Sequence, residues 1–272
     1  MMAAMPEPRP TWAPPDIDLN TPTLARVYDY MLGGAHNFAV DRAVADQLER
    51  IVPGTARTAW ENRAFLRRAV RYCASQGIDQ YLDIGSGIPT GGNVHEIARS
   101  VLPTARVVYV DVDPVAVLHS RAILAGDELS AVVQADVRAP ETILEDPATR
   151  RLIDFDRPVA VLLLALLHVI PDSDRPAEVL ARLTEHARPG SYLVISHFGR
   201  NYGTPEQVDL LLELSRHTTT PMVVREPEEL VALLGDFVPL RPGVVQVHEW
   251  RPDPDGPRSH QSGGYGIVAR RG

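Results

Sequence analysis

Three carboxylates stand where apolar runs end. Asp83 closes "QYLDIG", Asp111 closes "RVVYVD", and Asp136 ends the run in "AVVQADVRAP". Short apolar runs bounded by turn residues read as buried strands. A glycine turn, Gly85-Ser86-Gly87, follows the first of them directly. Glycine there lets the backbone turn tightly and approach a ligand. In open parallel sheets ligands sit beyond the carboxyl ends of the strands, so the three acids and this turn share one predicted mouth.

The charges select the ligand. A dinucleotide fingerprint needs a third small residue, and position 90 is Thr. A pyrophosphate would be repelled by Asp83, two residues before the first glycine. A ligand with an ammonium and a sulfonium, such as S-adenosylmethionine, would be attracted. Asp111, 28 residues after Asp83, can accept both ribose hydroxyls, with Asp113 as its alternate. Asp136 can take the exocyclic amine of adenine, with Val137 against the ring. Strand-end acids are also common as solvated turn residues, so the weight lies in the set of three.

The elements that would hold these residues alternate. From Ile78 onward short apolar runs and helical segments follow one another, which implies βαβ units with right-handed crossovers. The expected fold is α/β, with a mostly parallel sheet. Helical periodicity fills residues 20–76, predicting an N-terminal helical cap ahead of a ligand-binding domain over 77–272. In "TPTLARVYDYML" Thr21 is the expected N-cap, with Pro22 just inside the start. Residues 1–19, rich in proline, read as a disordered tail. The segment 251–264 reads as a loop able to close over a pocket, between strands near 243–250 and 264–271.

Composition narrows the functions further. The chain of 272 residues carries a formal net charge of -8, which disfavours broad binding to nucleic acid or anionic membrane. Cys73 is the single cysteine. It permits neither an internal disulfide nor a thiolate zinc site, which fits a cytoplasmic protein without a metal centre. Residues 1–15 lack the apolar core of a secretory signal. The run "VAVLLLALL" is too short to span a bilayer. The sequence contains no lysine, so all 27 basic residues are arginine, and Schiff-base chemistry is excluded.

Long stretches add a family resemblance. "RVYDYMLGGAHNFAVDR", "ENRAFLRRAVR", "GIDQYLDIGSGIPTGGNVHE", "ARVVYVDVDPVAVLHSRAIL", "ADVRAP", "DFDRPVAVLLLALLHVIPD" and "GVVQVHEWRPD" resemble the S-adenosyl methyltransferases once catalogued as a domain of unknown function, abundant in actinobacteria. The resemblance covers nearly the whole chain after residue 17. It implies S-adenosylmethionine as cofactor and a class I methyltransferase fold, Rossmann-like, with a seven-stranded, mostly parallel sheet and an N-terminal helical cap. The family's loop often reads Lys-Asp-Asn-Phe where this chain has Ala35-His36-Asn37-Phe38, a departure at the first two positions.

Methyl transfer from a sulfonium needs a positioned nucleophile above all, and a base only where the acceptor must lose a proton. His168, after the fourth strand, is similar in placement to the base of small-molecule O-methyltransferases, although Val169 stands where an acid follows in those enzymes. It would give a rate that rises through a pKa near 6.5, the unperturbed value. His197 ends the fifth strand and is a second candidate, while His95 would orient the turn. Tyr28 or Tyr30 could cover the sulfonium. Arg63 could pair with the methionine carboxylate, and Asn37 and Asn93 could donate hydrogen bonds. The expected partner is a small-molecule O- or N-acceptor. A non-catalytic protein that binds or senses the cofactor, and less readily an NAD-dependent dehydrogenase, are the alternatives.

Overall fold

A computed structural model describes residues 9–13, 17–89, 91–216, 221–254 and 263–272. Its centre is an eight-stranded sheet: β1 (Gln80–Ile84), β2 (Arg106–Asp111), β3 (Ser130–Gln134), β4 (Ala160–Leu164), β5 (Tyr192–Phe198), β6 (Phe237–Pro239), β7 (Val245–Gln246) and β8 (Gly264–Arg271). The order is β3-β2-β1-β4-β5-β8-β6, with β7 beside β8. The first five strands pair in parallel and β8 runs antiparallel to β5. The count is eight rather than the expected seven. Val245–Gln246 pairs only briefly, and the three residues of β6 are too few to show a period.

Ten helices flank the sheet among the described residues. They are α1 (Leu24–Met31), α2 (Ala39–Ile51), α3 (Thr55–Ser75), α4 (Val94–Arg99), α5 (Pro114–Ile123), α6 (Pro140–Leu144), α7 (Pro147–Leu152), α8 (Pro176–Leu183), α9 (Pro205–Ser215) and α10 (Pro227–Ala232). Alternate strand residues point to opposite faces, which makes two apolar layers. Leu82, Val108, Val161 and Leu193 pack with side chains of α6, α7, α8 and α10. Tyr81, Val107, Leu162 and Val194 pack with α3, α4 and Trp250. The C-terminal half of α3 is therefore a layer of the sheet's own core, so the expected boundary at residue 76 cuts through one packed unit. No helix among the described residues is long and apolar enough to cross a membrane.

The N-terminal helices are fixed by buried polar groups. α1 starts two residues later than expected, with Thr23 at the N-cap position; the Thr21 carbonyl instead accepts from Arg26. Arg26 and Asp41 form a buried ion pair at 3.0 Å, with side chains 2% and 0% exposed. Asp41 also accepts the N–H groups of Thr23 and Phe38. Asp29 accepts from His36 N and Asn37 Nδ2. A Cβ on Gly34 would stand 2.0 Å from Asp29 Oδ1, so only glycine fits there.

The expected disordered tail is corrected in part. Trp12 stacks on Phe38 with ring centroids 5.2 Å apart, and Ala13 and Ile17 are buried against Ile88, Val115 and Ala116. Proline-rich composition hid an apolar segment that folds onto α5. Residues 1–8, 14–16 and 255–262, the last including most of the expected 251–264 loop, lie outside the described residues.

Removing one member of a buried pair leaves the other charge uncompensated. Asp41→Ala should lower the unfolding free energy by about 3–5 kcal/mol, read from the denaturant midpoint at constant m-value. A loss below about 1 kcal/mol would show that Asp41 does not hold the N-terminal helices.

Candidate functional site

One cavity of about 470 Å³ opens where the strand order reverses, beyond β1 and β4. Its volume is ordinary for a small-ligand site. It is lined by Asp83, Gly85, Ser86, Gly87, Asp111, Asp113, Asp136 and Val137 on one side, and by Tyr28, Asn62, Arg63, His168, His197 and Phe198 elsewhere. Most of the residues expected from the sequence thus meet in one place.

The glycine turn is stapled to β2. Gly85 N and Ser86 N donate to the Val110 carbonyl at 2.8 and 3.0 Å. Gly87 N donates to Asp111 Oδ2 at 2.7 Å, and Asp113 N to Asp111 Oδ1 at 2.8 Å. The Asp111 carboxylate is locked by these two amides and retains lone pairs for two further donors. Gly85 and Gly87 have φ of +69° and +67°. A Cβ on Gly85 would also meet Leu166 at 2.8 Å. Ser86 Oγ is buried without a partner among the described residues.

Asp83 is 5% exposed. Burial pushes its carboxyl up to about 7; Arg63 opposes this and Asp111 adds to it. Asp111 is raised to about 6, again by burial, with the amides of Asp113 and Gly87 opposing. Two buried acids in one cavity suit a cationic ligand. Asp113 caps α5 through Val115 N and accepts Thr23 Oγ1 at 2.7 Å, which ties α1 to the same mouth. Asp136 lies two residues past β3 rather than at its end. Arg138 forks onto it and keeps it below the usual carboxylate range.

Several expected roles change. Asn37 is absent from the cavity wall; its Nδ2 donates to Asp29 and its Oδ1 accepts from Arg42. Asn93 likewise stands off the wall, at the N-cap of α4, where its N–H donates to Glu96. His95 bonds Tyr109 Oη. Arg63 donates to the carbonyls of Gly91 and Gly92, which leaves its guanidinium on the wall beside Asp83. Tyr28 Oη is committed to Ala59 O and Asn62, so only its ring is available to a ligand. Thr90, which carried the case against a dinucleotide, lies outside the described residues.

The two histidines separate in the same way. His197 Nδ1 donates to the Phe198 carbonyl at 2.7 Å and its Nε2 accepts from Arg225 at 3.2 Å. Both nitrogens are occupied and burial lowers its pKa to about 4, so the ring lines the cavity with no nitrogen left over for a ligand in this arrangement. His168 is 9% exposed, and its Nδ1 has no partner among the described residues. Burial, with His197 and Arg225 nearby, pushes it down to about 3. The expected inflection near 6.5 is thereby corrected: the ring is neutral across the physiological range.

Sequence reasoning missed the clamp on this loop. Arg225, 5% exposed, donates to Leu167 O and Ile170 O at 2.8 Å each, and to Asp172. Val223 N donates to His168 O at 2.7 Å. Ala165, at the cavity wall, has φ of +53° and is held there by Ser196 through both O and Oγ. A non-glycine residue in that region stores strain. Asn62 was also missed.

The chain is similar to known proteins over most of its length. The model of a family described as S-adenosyl methyltransferase matches residues 10–272. A candidate methyltransferase from Thermobifida fusca YX is 43% identical, with a TM-score of 0.89, covering 96% of this chain and 99% of its own. A DUF574 family protein from Streptomyces avermitilis is 37% identical, with a TM-score of 0.89, covering 94% and 99%. The N-methyltransferase NodS from Bradyrhizobium japonicum, solved with S-adenosyl-l-homocysteine, shares the fold at 12% identity and a TM-score of 0.50, over 84% of this chain and 98% of its own. No match to this chain is found among curated proteins.

The raised carboxyls set the pH dependence of binding. Below about pH 6–7 these acids hold protons that a cation must displace. S-adenosylmethionine affinity, measured by calorimetry from pH 5 to 7.5, should therefore rise with pH, by at most roughly tenfold per unit for each proton released, and Asp83→Asn should flatten the rise. Asp111→Ala should cost about 2–4 kcal/mol of affinity in a folded protein. Affinity that is flat or falls with pH in the unaltered protein would remove the acids from the cation site.

Proposed function

Because the chain belongs to the S-adenosyl methyltransferase family, we propose that it transfers a methyl group to an oxygen or nitrogen of a small-molecule acceptor. The observation that carries this reading is the form of the cavity. It continues past the acid-lined mouth into an apolar chamber walled by α1, α2, α3 and α9. Gln207 of α9 donates to the Ile51 carbonyl at the end of α2, so the far wall is tied to the N-terminal helices. A macromolecular acceptor would need an open, charged approach. The net charge of -8 disfavours nucleic acid in particular.

The cofactor supplies a methyl group on a positively charged sulfur, already a strong electrophile. This chain's residues position and exclude. Asp83 and Asp111 hold the cationic ligand by charge and the ribose by hydrogen bonding, and Asp136 and Val137 flank adenine. Tyr28 presents its ring to the charged sulfur, and Arg63 lies within reach of a carboxylate. Gly85, Ser86 and Gly87 bring backbone close to the ligand. His168, neutral and with Nδ1 unpartnered among the described residues, accepts the hydrogen bond of the acceptor; for a hydroxyl it takes that proton as the oxygen–methyl bond forms and the sulfur–methyl bond breaks, and passes it to solvent. The nearby Arg225 guanidinium opposes a lasting imidazolium, so orientation outweighs proton storage. The buried thiol of Cys73 suits a reducing cytoplasm.

The direct test is an acceptor screen with methyl-labelled cofactor and fractionated small-molecule extract, following S-adenosylhomocysteine and labelled product together. Label appearing only in macromolecules, or no turnover with any fraction, counts against this reading. With a hydroxyl acceptor in hand, His168→Ala should lower kcat by about 10²-fold with cofactor affinity within about twofold. The unaltered enzyme should show no inflection from His168 between pH 5 and 8. An undiminished kcat would take His168 out of the mechanism.

A further inference from the structure

The chamber contains an amide whose orientation can be read from its partners. Tyr28 Oη lies 3.0 Å from the Ala59 carbonyl, which can only accept, so the single phenol proton goes there. The Tyr28 oxygen must then accept from Asn62, whose Nδ2 stands 2.9 Å away. This chain of donors fixes which end of the amide faces the tyrosine. Asn62 Oδ1 is left as an acceptor, buried and without a partner among the described residues, on a side chain that is itself 9% exposed and lines the cavity. A buried acceptor with no donor costs free energy until something donates to it.

The surrounding wall is apolar and rich in rings and thioethers. Met31 and Met222 come from the two sides, and Phe198 and Tyr202 form a ring pair with centroids 4.6 Å apart. Aromatic faces and methionine sulfur suit a flat ring. We propose that Asn62 is a specificity-determining residue, selecting a small planar aromatic acceptor that offers one N–H or O–H donor to its Oδ1. The proposal rests on the methyl-transfer reading of the same cavity. A site built to hydrogen-bond a substrate N–H or O–H discriminates strongly against the analogue lacking it, because its own polar group is then stranded.

The test uses matched probes on the full chain, with and without saturating S-adenosylhomocysteine. Indole and 1-methylindole share one ring system and differ in the donor, as do phenol and anisole. Ligand-observed NMR titration should show indole and phenol binding at least about tenfold more tightly than their methylated partners. Asn62→Leu should erase that ratio and leave the S-adenosylhomocysteine dissociation constant within about twofold. Tyr28→Phe frees the amide to turn and should reduce the ratio by about threefold, which provides a second readout should the leucine variant fold poorly. Equal binding within each pair, or no binding of indole, overturns the proposal. So does an Asn62→Leu variant that loses the cofactor product while keeping the indole preference, since the amide would then serve the cofactor. Failure of S-adenosylhomocysteine to bind at all would instead defeat the methyl-transfer reading, and the probe comparison without it still decides the role of Asn62.

Discussion

Two carboxylates buried in one cavity, Asp83 and Asp111, impose the constraint around which the site is built. Burial holds both carboxyls far above their ordinary range, because ionised oxygen out of water is expensive unless a counter-charge is near. The protein supplies only partial relief. Arg63 approaches Asp83, and two backbone amides bond Asp111. The remainder of the compensation is left for a cation. Such acids would be hard to keep on a loose loop. Here they end adjacent parallel strands whose register pairs Asp83 with Tyr109, with alternating apolar layers on both faces. The sheet converts a costly pair of charges into a fixed, preorganised receptor.

The opposite side of the site obeys a different economy. The His168 turn after β4 has no regular ladder to hold it, so its carbonyls need donors from elsewhere. Arg225 and Val223 serve Leu167, His168 and Ile170 between them. A guanidinium can do this because it carries five N–H groups in a rigid plane; a lysine ammonium could not span the same acceptors. One donor of Arg225 is spent on His197, which makes His197 part of the clamp and leaves His168, of these two, with a nitrogen unpartnered among the described residues.

These two halves were unequally legible in the sequence. The acids were readable because strand, acid and glycine turn lie within a few residues of one another, and their mutual spacing follows from the βαβ repeat. Helices and strands with a clear period were readable for the same local reason. Asn62 and Arg225 were not. Asn62 reads as a polar position on a long helix, and its burial is decided by Tyr28, 34 residues away. Arg225 bonds a carbonyl 58 residues distant, and nothing in its neighbourhood marks it among 27 arginines. Trp12 was hidden by proline-rich composition, and the partners of His197 were hidden because a histidine at a strand end looks the same whether or not its nitrogens are occupied. What escaped was decided by tertiary partners, which periodicity does not encode.

The N-terminal segment connects the halves. Thr23 donates its hydroxyl to Asp113, whose backbone amide in turn bonds Asp111, while Asp41 accepts the Thr23 amide and pairs with Arg26. Asp111 and the start of α1 are therefore linked through Asp113 by two hydrogen bonds, and a third fixes Thr23 to Asp41. α1 also carries Tyr28, which orients Asn62 in the chamber. The hydrogen bonds that fix the acid mouth therefore also fix the helix whose tyrosine holds the chamber's amide.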